Sequence, residues 1–167
     1  RKNKTHFILG GAYTRYDGKH YGFVTWADYG VPVDYRWYNL TSFKGDFNIY
    51  AKLQQQLGEH FYVFGDLQYR MVKYEINGFR KNPTLTPSTD FNFFNPKAGI
   101  SYITNHANNA ESKGYASFAI ANKEPNRDDF EASPSQAPKA ERLYDAELGY
   151  QYRSITWEAG ANLYYMH

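Results

Sequence analysis

Apolar and polar residues alternate along most of this chain with a period of two. The clearest run is Leu143 to Arg153: Tyr144, Ala146, Leu148, Tyr150 and Tyr152 share one parity, and Asp145, Glu147, Gly149, Gln151 and Arg153 the other. A helix would scatter both sets around its circumference, so this spacing predicts a half-buried strand. The pattern recurs from Asp46, where Phe47, Ile49, Ala51 and Leu53 oppose Asn48, Tyr50, Lys52 and Gln54. Between His60 and Ile76, Val63, Gly65, Leu67, Tyr69 and Met71 oppose Asp66, Gln68 and Arg70. Further runs set Phe94, Pro96, Ala98, Ile100 and Tyr102 on one face, then Ala116, Phe118 and Ile120, then Trp157, Ala159, Ala161, Leu163 and Tyr165. A weaker segment, Thr5 to Tyr16, sets Phe7, Leu9, Gly11 and Tyr13 together. The reading is all-β, an antiparallel up-and-down meander of about seven strands.

The connections differ in length. Short ones are expected at 57–60, 105–113 and 153–154; long ones at 17–44, 77–91 and 122–140 hold six of the seven prolines. Pro96 falls inside a strand, removes a ladder donor, and is expected near a strand end or a bulge. No repeat of 20–50 residues stands out, which weakens a solenoid reading.

Alternation by itself fits a soluble β-sandwich as well as a membrane barrel. Three features favour the barrel. Long and short connections segregate by strand end. The apolar faces are Ala, Gly and Leu at mid-strand with Tyr, Phe or Trp towards the ends, as at two lipid–water interfaces. The polar faces carry Asp66, Arg70, Lys97 and Glu147 at mid-strand, which suits a hydrated lumen. These charges are expected to pair with one another across neighbouring strands, Asp145 among them, or with a plug inside the barrel.

Composition sharpens the picture. The chain has 17 Tyr, 12 Phe and 3 Trp among 167 residues, 19% aromatic, yet a mean hydropathy of −0.74. So many aromatics exclude a disordered chain, and no apolar run reaches the roughly 18 residues of a spanning helix. Nineteen Lys and Arg against 17 Asp and Glu give a net charge of +2, without the basic stripe of a nucleic-acid binder. Zero cysteines exclude disulfide scaffolds and thiolate metal sites. The chain opens Arg-Lys-Asn-Lys with no signal-peptide h-region, so the expectation is either no export or a beginning that lies elsewhere.

Seven strands about 4.8 Å apart make a sheet only about 34 Å wide with two unpaired edges. Single-chain bacterial barrels close with an even number of strands, at least eight. The expectation is therefore a piece of a larger barrel. In order, "RYDGKHYGFVTWA", "DFNIYAKLQQQL", "FGDLQYRMVKYEING", "FNFFNPKAGISY", "YASFAIANKEPNRDDF", "PKAERLYDAELGYQY" and "AGANLYYM" resemble the barrel of TonB-dependent outer-membrane receptors. The most specific part is the strand rising through "YASFAIANKEPNRDDF" and returning through "PKAERLYDAELGYQY". The resemblance implies that residues 1–167 are part of a 22-stranded transmembrane barrel, from its C-terminal half, lacking plug domain, early strands and last strand. It implies active uptake of a scarce nutrient (ferric siderophore, haem, cobalamin or oligosaccharide). Its partners would be the plug of the parent chain, the TonB complex through the N-terminal region, and outer-membrane lipid. The long connections would then be extracellular.

Site candidates are few. His6, His20, His60, His106 and His167 show neither metal-ligand spacing nor pairing with a nucleophile, so no enzyme, resident cofactor or metal is expected. "DGKHYG" sets Asp17 and His20 near a ligand, although its glycines mainly indicate a tight turn. "NKEPNRDD" offers Arg127 as a donor to a polar or anionic cargo, with Asp128 and Asp129 beside it. Its structural reading is a salt-bridged, proline-braced strand end; a calcium site from two aspartates alone is weakly supported. Trp26 and Trp37, with Tyr29 and Tyr38, make an aromatic connection able to stack on a ring system or to pack on itself. Two rival readings stand beside the receptor. One is a soluble or surface β-domain that binds a partner through its aromatic loops, and the other is a passive small barrel missing one strand. A sandwich would bury Tyr144, Ala146, Leu148 and Tyr150 beneath a second sheet, whereas a barrel leaves them on its outside.

Overall fold

The computed structural model describes residues 4–107 and 109–167. Seven strands follow one another in a single antiparallel sheet: β1 (Thr5–Val24), β2 (Tyr35–Leu57), β3 (Phe61–Asn77), β4 (Ser88–Asn105), β5 (Glu111–Lys123), β6 (Glu141–Arg153) and β7 (Glu158–Met166). Sheet order is sequence order, with each strand bonded to the next. The meander is thus the one the alternation predicts. The sheet is open, and β1 and β7 are its edges. Short turns join β2 to β3, β4 to β5 and β6 to β7; Gly58, at φ +69°, supplies the left-handed residue of the first.

Register turns seven separate alternations into two continuous faces. One line across the sheet runs Phe7, Leu53, Gly65, Ala98, Phe118, Ala146, Tyr165, each directly opposite the next. The parallel line on the other face runs Lys52, Asp66, Lys97, Ala119, Asp145, Met166. Because side chains alternate strictly, a slip of one residue in any ladder would mix these sets. None of the described residues covers the apolar face: Phe118 is 48% exposed, Leu148 57% and Leu163 72%.

The apolar face forms a band of limited height. On β3 it runs from Phe61 to Met71 and then meets Lys73 and Glu75, which pair at 2.7 Å. On β1 it ends at Tyr13, before the Arg15–Asp17 pair at 2.7 Å. Arg142 bounds it on β6 and hydrogen-bonds to Asn122. Aromatics stand eight positions apart at its two margins: Phe61 and Tyr69, Phe94 and Tyr102, Tyr144 and Tyr152. At roughly 3.3 Å per residue that separation is about 26 Å along a strand. β1 to β4 continue well beyond the band on the long-connection side.

The buried core is small and lies on the polar face above the band. Val72, Tyr74 and Phe93 form one cluster, with Phe91 and Ala140 against it. Ile76, Phe79 and Phe130 form another, with Leu85 and Phe91 against it. Phe130 comes from a six-residue helix, α1 (Arg127–Ala132), in the connection from β5 to β6. That connection folds over the polar face.

Three sequence expectations are corrected. The first connection is not 17–44: β1 extends to Val24 and β2 begins at Tyr35, so "DGKHYG" is strand rather than a tight turn. Its glycines make room for rings, since a Cβ on Gly18 would meet the Tyr16 ring at 2.6 Å and one on Gly22 the Trp37 indole at 2.5 Å. Pro96 sits in mid-β4 opposite Leu67, with no register shift there. It lies just past Lys97, the last β4 residue in register with β5, so its missing donor falls where that ladder stops. Finally, the connection expected over 122–140 carries the short helix α1, where the sequence reading placed only a salt-bridged, proline-braced strand end.

Candidate functional site

The most constructed polar arrangement lies on the polar face where the long connections meet. Arg70 on β3 donates to Asp46 on β2 from Nε at 3.1 Å and from Nη2 at 2.5 Å. From its other side it donates to Glu124 at 2.8 Å and 2.9 Å. Lys44 on β2 closes the group with a 2.9 Å bond to the same Glu124 carboxylate. The four side chains carry two positive and two negative charges, so the cluster is neutral. Only 10% of the Glu124 side chain is exposed. Burial alone would raise its carboxyl pKa; hydrogen bonds from Lys44 and Arg70, one from its own backbone, and the Arg70 charge together hold it at about 2.

Local sequence explains why Glu124 arrives there. Asn126 caps α1: its side chain accepts from the backbone of Asp128 and Asp129, and the Asp129 carboxylate accepts from the Asn126 backbone at 2.7 Å. The cap turns the chain inward immediately after Pro125. Arg127 then donates to the Gly78 carbonyl at 3.0 Å and stands over the Phe79 ring at 4.7 Å. Gly78 has φ +93°, and a Cβ there would meet the Pro83 carbonyl at 2.7 Å, so this crossing requires glycine. Phe130 fills the space beside Tyr74 at 5.8 Å between ring centres.

The residues expected from the sequence separate into distinct places. Asp17 and His20 lie on opposite faces of β1 and do not meet: Asp17 pairs with Arg15, while His20 Nε2 lies 3.3 Å from Ser42 Oγ on the polar side. Trp26 is 77% exposed in the connection between β1 and β2, near Tyr29 in sequence at 93%. Trp37 stands on β2, edge-on to Tyr38 at 4.5 Å, with the Arg80 guanidinium 5.0 Å above its ring. Arg127 and Asp129 serve the folded connection itself, and Asp128 is exposed at the start of α1. The pairing expected among Asp66, Arg70, Lys97, Asp145 and Glu147 is not the one that forms: Asp66 pairs with Lys52 at 3.0 Å and Arg70 with Asp46.

Sequence reasoning did not find Asp46 as the partner of Arg70 or Lys44 as a partner of Glu124, nor the reach of Glu124 over β4. Strand parity places Lys44, Asp46 and Arg70 on one face; the contact with Glu124 has no local sequence signal beyond the Asn126–Asp129 cap. Chemically, the cluster is self-satisfied and works as a fastening for the connection. The exposed aromatics of the β1–β2 connection and the Trp37–Arg80 stack are surfaces open to a ligand. Among the described residues no group of three or more His, Asp or Glu is arranged to hold a metal ion. No protein-family model, curated protein or solved structure matches the chain.

Proposed function

We propose that this chain is a section of the wall of a TonB-dependent outer-membrane receptor for active nutrient uptake, part of a barrel of 22 strands. The observation that carries the membrane part is the uncovered apolar face. It is continuous across seven strands, about nine to eleven residues high, and edged by aromatic residues above and below. Barrel strands cross a bilayer in about 9–11 tilted residues, with aromatic girdles at both interfaces. Among the described residues no second sheet lies over Tyr144, Ala146, Leu148 or Tyr150, the four side chains a sandwich would bury.

The receptor part rests on the ordered resemblance described above, and on strands that continue beyond the band to carry long, aromatic connections. Each edge strand bonds a neighbour on one side only, and a closed barrel gives it a second. In this reading the polar face lines a lumen holding the plug of the parent chain. TonB energises the plug, and the nutrient meets the aromatic mouth first.

The absence of cysteine makes a clean test available. Single cysteines placed at successive positions 144–152 are labelled in intact membranes with a charged, water-soluble maleimide. Odd positions, facing the lumen, should react and even positions should not. Equal labelling of both parities removes the membrane reading. For transport, loss of nutrient uptake on deleting the gene, matched by loss on deleting TonB, is the expected result; uptake indifferent to TonB supports the passive barrel instead.

A further inference from the structure

Two separate pieces of backbone bring an aromatic corner and an arginine together at the long-connection end of the polar face. The first is a β-bulge. Gly22 on β1 lies opposite Tyr38, but Phe23 lies opposite Arg36, so Trp37 is an extra residue in β2. A bulge re-aims the side chains around it. Here it sets Trp37 and Tyr38, neighbours in sequence, on one face: both rings border the position a Cβ on Gly22 would take. The rings meet edge to face, 4.5 Å between centres and 77° between planes. Trp37 is 46% exposed.

The second piece is a tight turn. Phe79 and Asn82 exchange backbone hydrogen bonds of 3.0 Å and 3.2 Å, which leaves Arg80 and Lys81 as its two central residues. Phe79 is buried, and Arg127 holds the preceding Gly78 carbonyl. The turn so fixed places the Arg80 guanidinium 5.0 Å above the Trp37 ring. Among the described residues, the side chains of Arg80, Trp37 and Tyr38 make no hydrogen bond or ion pair. Three donors therefore converge on one corner.

We propose that this corner binds an acidic sugar unit, a pyranose ring carrying a carboxylate, of an oligosaccharide; this rests on the nutrient-receptor reading above and names its substrate class. An arginine fork takes a carboxylate through two parallel hydrogen bonds. A guanidinium already laid on an indole, on a turn already closed, loses little freedom when it does so. The faces of both aromatic rings carry negative potential. A pyranose meets such faces with weakly positive C–H bonds, whereas a flat catecholate ring would bring a second electron-rich face. Carboxylate and sugar ring together engage the fork, the indole and the phenol at once.

The test is calorimetric titration of the full-length protein, purified in mild detergent, with tri-galacturonate, its methyl ester and a ferric catecholate complex. Tri-galacturonate should bind about tenfold tighter than its ester, the worth of a charge-assisted pair over a neutral one. Arg80→Gln should bring acid and ester to within about twofold of each other, a change that loss of structure would not produce. Trp37→Ala should weaken both by about tenfold. Gly22→Ala should weaken both as well while keeping every ring and charge, because its Cβ would meet the indole Nε1 at 2.5 Å. Equal affinity for acid and ester in the unaltered protein overturns the proposal, as does binding unchanged in Arg80→Gln and Trp37→Ala. Binding of the ferric catecholate alone assigns the corner to a flat anionic ring and overturns it too. TonB-dependent uptake of another nutrient, with no saccharide bound, sinks the subsite and leaves the receptor reading standing. Acid-selective saccharide binding without TonB-dependent uptake does the reverse.

Discussion

Glu124 accepts two hydrogen bonds from Arg70 although 54 positions separate them and the whole of β4 lies between their strands. The contact exists because the connection after β5 folds back across the polar face instead of standing out in solvent. It is the point at which the connection is fastened to the sheet. Phe130, Arg127 and Glu124 secure three successive stretches of that connection to β2, β3 and the turn at Gly78.

Acid should release the connection. The Glu124 carboxyl is lowered from its usual 4.5 to about 2. A depressed carboxyl contributes stability that is fully present above its unfolded value and is lost as pH falls through the folded one. Amide protection factors over 123–132, taken relative to the intrinsic exchange rate at each pH, should therefore be unchanged from pH 7 to about 5 and fall between about 4.5 and 2. Glu124→Gln should exchange faster at pH 7 and lose most of this acid step. An acid step of equal size in the variant would assign it to other carboxylates.

Removing Phe130 should free the connection without unfolding the sheet. Its ring is buried with Ile76 and Phe79, and large-to-alanine changes at well-packed aromatics cost about 3–5 kcal/mol. The figure here belongs to docking of the connection, because the strand ladders do not depend on it. In Phe130→Ala, exchange protection should fall over 126–132 and stay at the original level in β3 and β4. Parallel loss in both regions would make α1 part of one cooperative unit with the strands.

The faces of this sheet were legible in the sequence because strand parity is a local property: Tyr144 and Leu148 need only their neighbours to be assigned. The reach of β1 through "DGKHYG" was misread because two glycines and an aspartate are also what a turn uses. What decides between strand and turn is the ring of Tyr16 beside Gly18 and of Trp37 beside Gly22, and the second of these comes from another strand. The Arg70–Glu124 bond was illegible for a stronger reason. It depends on where a connection of some seventeen residues lands, and composition does not encode a landing place.

Glycines on the two faces should respond oppositely to alanine. Gly99 lies under the Phe64 ring, with a Cβ placed 2.4 Å from it and 2.9 Å from the Ala116 carbonyl. Because the second obstacle is backbone, Gly99→Ala should cost about 1–3 kcal/mol. Gly65, on the apolar face, has nothing within 4 Å of its Cβ position. Gly65→Ala should be neutral or stabilising by about 0.4–1 kcal/mol, through the lost freedom of the unfolded chain. Urea unfolding of both variants checks the contrast, and a cost at Gly65 equal to that at Gly99 would show that strand propensity, not the ring, sets it.

A charge placed on each face in turn separates the environments of those faces. Leu148 and Glu147 are adjacent on β6 and point to opposite sides, Leu148 opposite Ala116 and Leu163, Glu147 opposite Ser117 and Tyr164. Leu148 lies midway between the Tyr144 and Tyr152 margins. If the apolar face meets lipid, Leu148→Arg should destabilise the bilayer-inserted protein by about 2–4 kcal/mol, the cost of arginine near the midplane of a barrel's outer face. Glu147→Arg reverses a charge in a hydrated setting and should cost under about 1 kcal/mol. The same pair in a soluble, monomeric protein would behave differently: Leu148, already 57% exposed to water, would accept arginine at no cost. Unfolding free energies in vesicles, compared for the two variants, therefore report directly on which solvent the apolar face was built to meet.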